Sequence, residues 1–247
     1  MRADGTDVRR LTGGPGQGES WAPSWSPEGE QIAFASRGDG YSSLYAIRQD
    51  GSGERRLTAR EAQDDDLPAW SPEGARLAFS RANRRGPEAV YVLEPASGGA
   101  TRVTSDPGPE SAPCWSPDGA LLVFDRAMAT PAGLYVLPAT GGEPWFVTPG
   151  HGAAWSPVGN RLAFTHADSL WLLPVNNSAE AVGDPEPVTR AIGFRDGHPS
   201  WSPDGARVVF ERETYVKGDT PSRLVVLDLA GGDLQDLGEG HDPGWSP

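Results

Sequence analysis

The sequence predicts an all-β fold, a β-propeller of four-stranded antiparallel blades, and three observations lead to this fold class. First, a Trp-Ser-Pro tripeptide recurs at spacings of 45, 45, 40, 46 and 44 residues, at Trp25, Trp70, Trp115, Trp155, Trp201 and Trp245. Second, a phenylalanine follows each of the first five tryptophans by nine positions, at Phe34, Phe79, Phe124, Phe164 and Phe210. Third, the 247 residues include 32 glycines and 24 prolines, which disfavour helices. A repeat of about 40–45 residues is typical of one propeller blade.

The turns divide each repeat into strands. Ser-Pro-Glu/Asp-Gly, at 26–29, 71–74, 116–119 and 202–205, suits a type I turn between a first and a second strand. The second strands are the apolar segments 32–34, 77–79, 122–124, 162–164 and 208–210. Third strands such as 44–47, 90–93 and 134–137 then lead through glycine-containing hairpins into fourth strands. Each repeat therefore predicts one antiparallel blade.

Composition excludes several classes of protein. The chain has 34 acidic and 21 basic residues, a net charge of −13, and Lys217 is its one lysine. Such a charge repels phosphate backbones, so we expect no nucleic-acid partner. No apolar run approaches the ~18 residues of a membrane span, so we expect no membrane insertion. Cys114 is the one cysteine, which excludes an intrachain disulfide and a cysteine-rich zinc site.

The blades account for most of the chain, which we interpret as a single propeller domain over residues 1–247. The predicted blades cover residues 25–58, 70–104, 115–148, 155–189 and 201–237. Residues 1–12 match the outer strand of an incomplete blade, and residues 245–247 match the start of its first strand. Such a blade lacks about 19 residues, which indicates a fragment of a longer, six-bladed protein. The alternative is a complete five-bladed ring with two spare strands.

Two stretches of the first repeat resemble a known family. The resemblance is to the TolB-type β-propeller repeat, and it is clearest in Ile-Ala-Phe-Ala-Ser-Arg at 32–37 and Asp-Gly-Ser-Gly-Glu-Arg-Arg-Leu-Thr at 50–58. With the Trp-Ser-Pro-Asp/Glu-Gly turns, it covers almost the whole chain. The resemblance implies an interaction module outside the cytoplasm that docks a partner protein. Similar repeats form the gating propeller of prolyl-oligopeptidase-like serine peptidases and the sensor regions of signalling proteins. Val225 and residues 234–237 depart from the repeat pattern, so we expect a less regular fifth blade.

Motifs of catalysis are missing from the sequence. It contains no Gly-x-Ser-x-Gly nucleophile elbow, no His-Glu-x-x-His zinc pair and no Gly-x-x-x-x-Gly-Lys phosphate loop. We therefore expect no enzyme activity within these residues and no cofactor, apart from a divalent cation at the site described next. Binding is expected on the propeller face whose loops vary most in length.

Acids and imidazoles precede the first strands, where the blades would converge on the mouth of a central channel. They are Glu19, Asp64, Asp65, Asp66, Glu110, His151, Asp196, His198, His241 and Asp242. Three of the four histidines of the chain fall in this set, so it predicts a site for a protein segment, a polar ligand or a divalent cation. His151, His198, His241 and Asp66 are the candidate metal ligands. The alternative is that each side chain caps the start of its own strand.

A second series of polar residues follows the phenylalanines at the same end of the blades. Its members are Arg37, Arg81, Arg126, His166 and Arg212. Opposite charges on adjacent loops relieve the repulsion among the acids, so we expect these residues to pair with the acids before the first strands.

Overall fold

The computed structural model describes residues 1, 4–13, 18–37, 40–59, 63–83, 86–106, 108–215 and 221–247. These residues form twenty β-strands arranged as five four-stranded antiparallel sheets, each with its strands in chain order. The predicted all-β propeller class, with four-stranded antiparallel blades, is confirmed. No helix in this part of the chain is long and apolar enough to cross a membrane.

Each sheet corresponds to one repeat of the sequence. Blade 1 contains β1 (Ser20–Trp25), β2 (Gln31–Arg37), β3 (Ser42–Arg48) and β4 (Arg55–Arg56). Blade 2 contains β5 (Gln63–Trp70), β6 (Leu77–Asn83), β7 (Gly86–Leu93) and β8 (Ala100–Arg102). Blade 3 contains β9 (Glu110–Trp115), β10 (Leu121–Arg126), β11 (Gly133–Pro138) and β12 (Trp145–Thr148). Blade 4 contains β13 (His151–Trp155), β14 (Arg161–His166), β15 (Ser169–Pro174) and β16 (Glu186–Pro187). Blade 5 contains β17 (Phe194–Trp201), β18 (Arg207–Thr214), β19 (Arg223–Asp228) and β20 (Leu234–Glu239).

The contacts divide the chain into two compact units. The N-terminal unit consists of Arg10–Pro149 and Ser246–Pro247 and contains blades 1–3. The C-terminal unit consists of Met1–Arg9 and Gly150–Trp245 and contains blades 4 and 5. The interpretation of residues 1–247 as one domain stays a prediction.

The second strand of each blade contributes apolar residues to the core, and its phenylalanine is at most 4% exposed. Phe79 and Phe124 are fully buried in the N-terminal unit, as is Phe210 in the C-terminal unit. Burial of one such side chain stabilises the fold by about 1.5–3 kcal/mol. The repeated phenylalanines are therefore the centre of each blade's core.

Tryptophans at the ends of the first strands tie one blade to the next within each unit. The indole Nε1–H of Trp115 donates to the carbonyl oxygen of Ala69 at 2.9 Å. In the C-terminal unit, Trp201 Nε1–H donates to the carbonyl of Ala154 at 3.0 Å. The recurring tryptophan thus both fills the space between sheets and satisfies a backbone acceptor of the preceding blade.

Every first strand contains a β-bulge. Its pairing with the second strand shifts register a few residues before the tryptophan. The residue three positions before each tryptophan has a left-handed backbone, with φ between 48° and 62°: Ala22, Leu67, Ala112, Gly152, His198 and Asp242. A bulge re-aims the neighbouring side chains, and such bulges are frequent near functional sites. The bulge therefore fixes where polar residues before the tryptophan point.

Strand boundaries differ from the sequence prediction in three places. The first strands begin four to seven residues before the tryptophan, because pairing continues beyond the bulge through acidic segments of low β propensity. In the fifth blade, β20 ends at Glu239 and its pairing with β19 shifts register between Leu224 and Val225, so the expectation of a less regular blade stays a prediction. No strand forms at Met1, at residues 4–12 or at residues 245–247, where pieces of an incomplete blade were expected. Membership of a sixth blade stays a prediction.

Candidate functional site

The predicted site residues lie at one end of the blades, which we call the long-loop end. In an antiparallel blade, the connection into the first strand and the connection between the second and third strands lie at the same end. The acids before the first strands and the basic series after the phenylalanines therefore face each other across the first and second strands. The structure shows what these two sets do within each unit.

Buried carboxylate–arginine pairs occupy this end in three blades. In the N-terminal unit, Arg81 binds Asp65 through Nε at 2.6 Å and Nη2 at 3.0 Å. Arg126 binds one oxygen of Glu110 at 3.1 and 2.6 Å and also pairs with Asp106. The carboxylates of Asp65 and Glu110 are almost fully buried, so each charge depends on its arginine.

The C-terminal unit contains the third pair. Arg212 binds Asp196 at 2.6 and 2.8 Å, with Asp196 fully buried. In all three blades the acid precedes its tryptophan by five positions and the arginine follows its phenylalanine by two. The expected pairing of loop acids with Arg81, Arg126 and Arg212 is therefore observed, and it places these side chains in the framework of the fold.

Blades 1 and 4 replace this pair with other residues. In blade 1 the equivalent residues are Ser20 and Ser36, whose hydroxyl groups are 3.3 Å apart. Arg37 is the next residue, more than half exposed, and lies 3.8 Å from Asp64. In blade 4, His166 stands edge-on to the ring of Trp171 instead of pairing with an acid across β13 and β14. Arg37 and His166 therefore do not continue the series of buried pairs.

The other predicted acids of the N-terminal unit hold backbone or side-chain donors. Asp66 accepts the indole N–H of Trp21 at 2.6 Å and the backbone N–H of Leu67 at 2.7 Å. Asp64 accepts the backbone N–H of Ser42 at 2.8 Å. Glu19 is exposed, and its carbonyl oxygen accepts the backbone N–H of Arg37 at 3.2 Å. The contacts of Asp64 and Asp66 are close to the capping role that was the alternative interpretation, whereas the contact of Glu19 is made by its backbone.

The C-terminal unit contains a polar cavity of about 130 Å³ at its long-loop end. Its lining includes His151, Thr165, Arg195, His198, Glu211 and Glu213. Desolvation by the surrounding walls, together with the nearby charge of Arg195, lowers the pKa of His151. The shift favours the neutral form of the His151 ring, which can accept a hydrogen bond or bind a metal ion.

A group of three donors lies beside this cavity. His198 Nδ1 is 3.3 Å from one oxygen of Asp242, and Glu211 Oε2 accepts the backbone N–H of Asp242 at 3.2 Å. One ligand atom from each of the three residues lies within 4.8 Å of the others. His241 Nδ1 is 3.4 Å from the second oxygen of Asp242.

The structure thus brings together part of the predicted metal set and adds residues that sequence reasoning missed. His198, His241 and Asp242 meet within the C-terminal unit, and His151 lines the cavity. Asp66 belongs to the N-terminal unit. Glu211, Glu213 and Thr165 were not predicted. Glu211 and Thr165 each follow the phenylalanine of their second strand by one position. A polar residue directly after the repeated phenylalanine was the available signal in the sequence.

Comparison with known proteins agrees with the repeat and the blades. Residues 65–247 match the family model described as the TolB beta propeller domain. The chain belongs to the TolB β-propeller family. A search of curated protein sequences finds no match.

Solved structures include two TolB proteins similar to this TolB-type propeller. A putative TolB from Agrobacterium tumefaciens is 25% identical, with a TM-score of 0.80 over 97% of this chain and 89% of that one. TolB from Acinetobacter baumannii is 19% identical, with a TM-score of 0.76 over 93% of this chain and 58% of that one. A puromycin-hydrolysing peptidase of Mycobacterium tuberculosis is 22% identical, with a TM-score of 0.63 over 90% of this chain and 37% of that one. The last two likenesses concern the fold alone.

Proposed function

We propose that the chain is a non-catalytic interaction module that binds a positively charged segment of a partner protein at the long-loop end of its C-terminal unit. The observation that carries this proposal is the polar cavity that the side chains of His198 and Glu211 help to line. The acids five residues before their tryptophans, Asp65, Glu110 and Asp196, are already bound to arginines. Apart from Asp196, the polar side chains that line the cavity belong to none of these three buried pairs.

The size of the cavity favours one inserted side chain. Its volume of about 130 Å³ is well below the ~300–1,000 Å³ of typical small-molecule sites. The entrance is wide enough to expose more than half of the His198 side chain. A peptide that places one side chain in the cavity and runs over the surrounding loops suits this shape better than a cofactor.

Charge favours a cationic segment. The chain carries a net charge of −13, and Glu211 and Glu213 both line the cavity. An acidic cleft attracts a basic partner and accelerates its association. Because Arg195 lies in the same wall, 3.5 Å from Asp168, the site also offers a donor for a carbonyl oxygen of the bound peptide.

Panning of a phage-displayed heptapeptide library tests this proposal, with a chelator present so that no metal contributes. We expect enriched peptides to contain arginine or lysine and to bind the double variant Glu213→Gln/Asp168→Asn about tenfold more weakly. The matched control is Asp184→Asn/Asp233→Asn, which removes the same charge from exposed residues of the connections between third and fourth strands, at the other end of the blades. No enrichment, or equal binding to both double variants, would overturn the proposal.

The gating propeller of a serine peptidase is the second candidate function. The likeness to the M. tuberculosis peptidase, of which this chain covers 37%, is the observation behind it. In that case the catalytic domain would be encoded beside these residues. An α/β-hydrolase sequence in the adjoining gene favours the peptidase, a kinase or helix-turn-helix sequence favours a sensor, and a small α/β domain before the propeller favours a TolB-like role.

A further inference from the structure

We propose that His198, Glu211 and Asp242 form a binding site for a divalent transition-metal ion. The three side chains come from β17, β18 and the segment after β20, and their ligand atoms lie within 4.8 Å of one another. One imidazole and two carboxylates supply the mixed nitrogen and oxygen donors that zinc and manganese bind. The site shares His198 and Glu211 with the cavity proposed to bind a peptide, but it does not rest on that proposal, because the ion needs no peptide for its coordination.

Glu211 provides the first physical reason for a cation at this point. Its residue is only 7% exposed, and among the described residues it forms no ion pair. Asp196, across the same pair of strands, is fully buried and held by both nitrogens of the Arg212 fork. Buried charges in proteins are paired or coordinate metals. Within the described part of the chain, the carboxylate of Glu211 has no side-chain cation like the one that Arg212 provides for Asp196.

Thr165 is a second, independent observation. It is fully buried and lines the same cavity, yet its Oγ1 has no hydrogen-bond partner among the described residues. A buried hydroxyl group without a partner costs about 1–3 kcal/mol. A water molecule on a metal ion in this cavity would supply the missing bond, so the cavity is built for polar contents.

The backbone holds the donors in place. His198 and Asp242 occupy equivalent positions, three residues before Trp201 and Trp245, with left-handed φ values of 53° and 48°. The backbone N–H of Asp242 donates to Glu211 Oε2, which joins the two carboxylate residues directly. His241 lies against the second oxygen of Asp242, as residues behind a metal ligand do when they orient it. The arrangement is therefore positioned by the repeat and does not depend on flexible side chains alone.

Imidazole among the donors decides the class of metal. Calcium and magnesium bind oxygen donors, whereas imidazole suits zinc, copper, iron and nickel. The exposed His198 ring and the cavity leave the remaining coordination positions open to solvent. The site is therefore expected to take zinc in preference to calcium.

Calorimetric titration of the chelator-treated chain with zinc tests the site, with calcium as the comparison. We expect one zinc ion per chain, and an affinity at least ~100-fold lower in the variants His198→Gly and Glu211→Gln. His198 is exposed and glycine suits its left-handed backbone, as Gly152 does at the equivalent position of blade 4, so this variant is expected to fold. The charge-matched control Asp184→Asn should bind zinc like the wild type.

Two results would overturn the metal site. One is the absence of zinc binding in the wild-type chain, and the other is unchanged affinity in His198→Gly with a circular dichroism spectrum like that of the wild type. If Glu211→Gln fails to fold, His198→Gly alone decides. Because the titration contains no peptide and the peptide panning contains a chelator, failure of one proposal leaves the other open to its own test.

Discussion

The two units use the same bulge for different purposes. In the N-terminal unit the left-handed bulge residues are Ala22, Leu67 and Ala112, which carry no metal ligand or charge. In the C-terminal unit the equivalent positions hold Gly152, His198 and Asp242. The scaffold is thus constant, while the side chain that the bulge presents differs. The comparison teaches that a repeat can keep its fold and acquire a donor group at one fixed point.

The buried carboxylates also differ from one another, in whether an arginine binds them. Asp65 and Glu110 in the N-terminal unit, and Asp196 in the C-terminal unit, are matched by arginines two residues beyond the second-strand phenylalanine. Glu211 sits one residue beyond that phenylalanine and, within the described part of the chain, has no such match. The structural acids are therefore on the first strand of a blade, whereas the candidate binding acid Glu211 is on the second strand, next to Arg212.

The largest expected effect comes from breaking a buried pair. Arg212→Met leaves the fully buried Asp196 charge without a partner, so we expect a loss of about 3–5 kcal/mol in the free energy of unfolding. Arg223→Met breaks a pair with Asp236 of similar geometry, 2.6 and 2.8 Å, in the same blade. That pair is about half exposed and screened by solvent, so the loss should be far smaller than for Arg212→Met. Urea unfolding measures both, and equal losses would contradict the structural role of the buried pair.

A smaller effect is expected from the tryptophans of the N-terminal unit. Trp115 donates its indole N–H to Ala69, whereas the buried indole nitrogen of Trp70 has no partner among the described residues. Substitution by phenylalanine removes similar volume at both positions. Trp115→Phe should therefore cost about 1–2 kcal/mol more than Trp70→Phe, since it also leaves a buried carbonyl oxygen without its donor. A smaller cost at Trp115 than at Trp70 in thermal or urea unfolding would contradict this link between blades.

The bulge itself can be tested by exchanging residues between the units. Ala112→Gly should stabilise the N-terminal unit by about 1 kcal/mol, because a left-handed backbone strains any residue with a Cβ. Gly152→Ala should destabilise the C-terminal unit by a similar amount, although nothing lies within 4 Å of the added Cβ. Opposite shifts of the unfolding midpoint would show that the strain is in the backbone. Shifts of the same sign would point to side-chain packing instead.

The smallest effect concerns pH dependence at the long-loop end of blade 2. Partial burial and the negative charge of Asp66 raise the pKa of Glu88. A raised pKa in the folded state means that this residue's contribution to stability is complete below the ordinary glutamate pKa of ~4.3 and is lost as the pH rises. Glu88→Gln should therefore raise the Tm at pH ~7 and leave it nearly unchanged at pH ~3.5. A variant less stable than the wild type at neutral pH would contradict this sign.

Much of the fold could be predicted from the sequence because it is encoded locally. The Trp-Ser-Pro spacing, the turn residues and the apolar second strands identified five blades, and Phe79 and Phe210 lie fully buried as a propeller core requires. The spacing of acids and arginines also indicated their pairing. These features depend on residue type at a fixed position, which a sequence shows directly.

The bulges and the donor group could not be predicted in the same way. Alanine or leucine in a left-handed conformation has no local signature, so Ala22 and Leu67 gave no sign of the register shift. Glu211 is one of 34 acidic residues, and only the fold shows that it is buried next to Asp242. The predicted metal set likewise included Asp66. Spacing along the repeat does not reveal that the carboxylate of Asp66 already accepts the indole N–H of Trp21.

The central claim is that the C-terminal unit presents His198 and Asp242 at bulge positions where the N-terminal unit has apolar residues, and that these donors bind a ligand together with Glu211. Diffraction from zinc-soaked crystals, with data collected on both sides of the zinc absorption edge, tests it most directly. The account predicts an anomalous peak at ~2.0–2.2 Å from His198, Glu211 and Asp242, and none at the bulges of Ala22, Leu67 and Ala112. A zinc peak at those N-terminal bulges, or its absence from the three donors, would contradict the account.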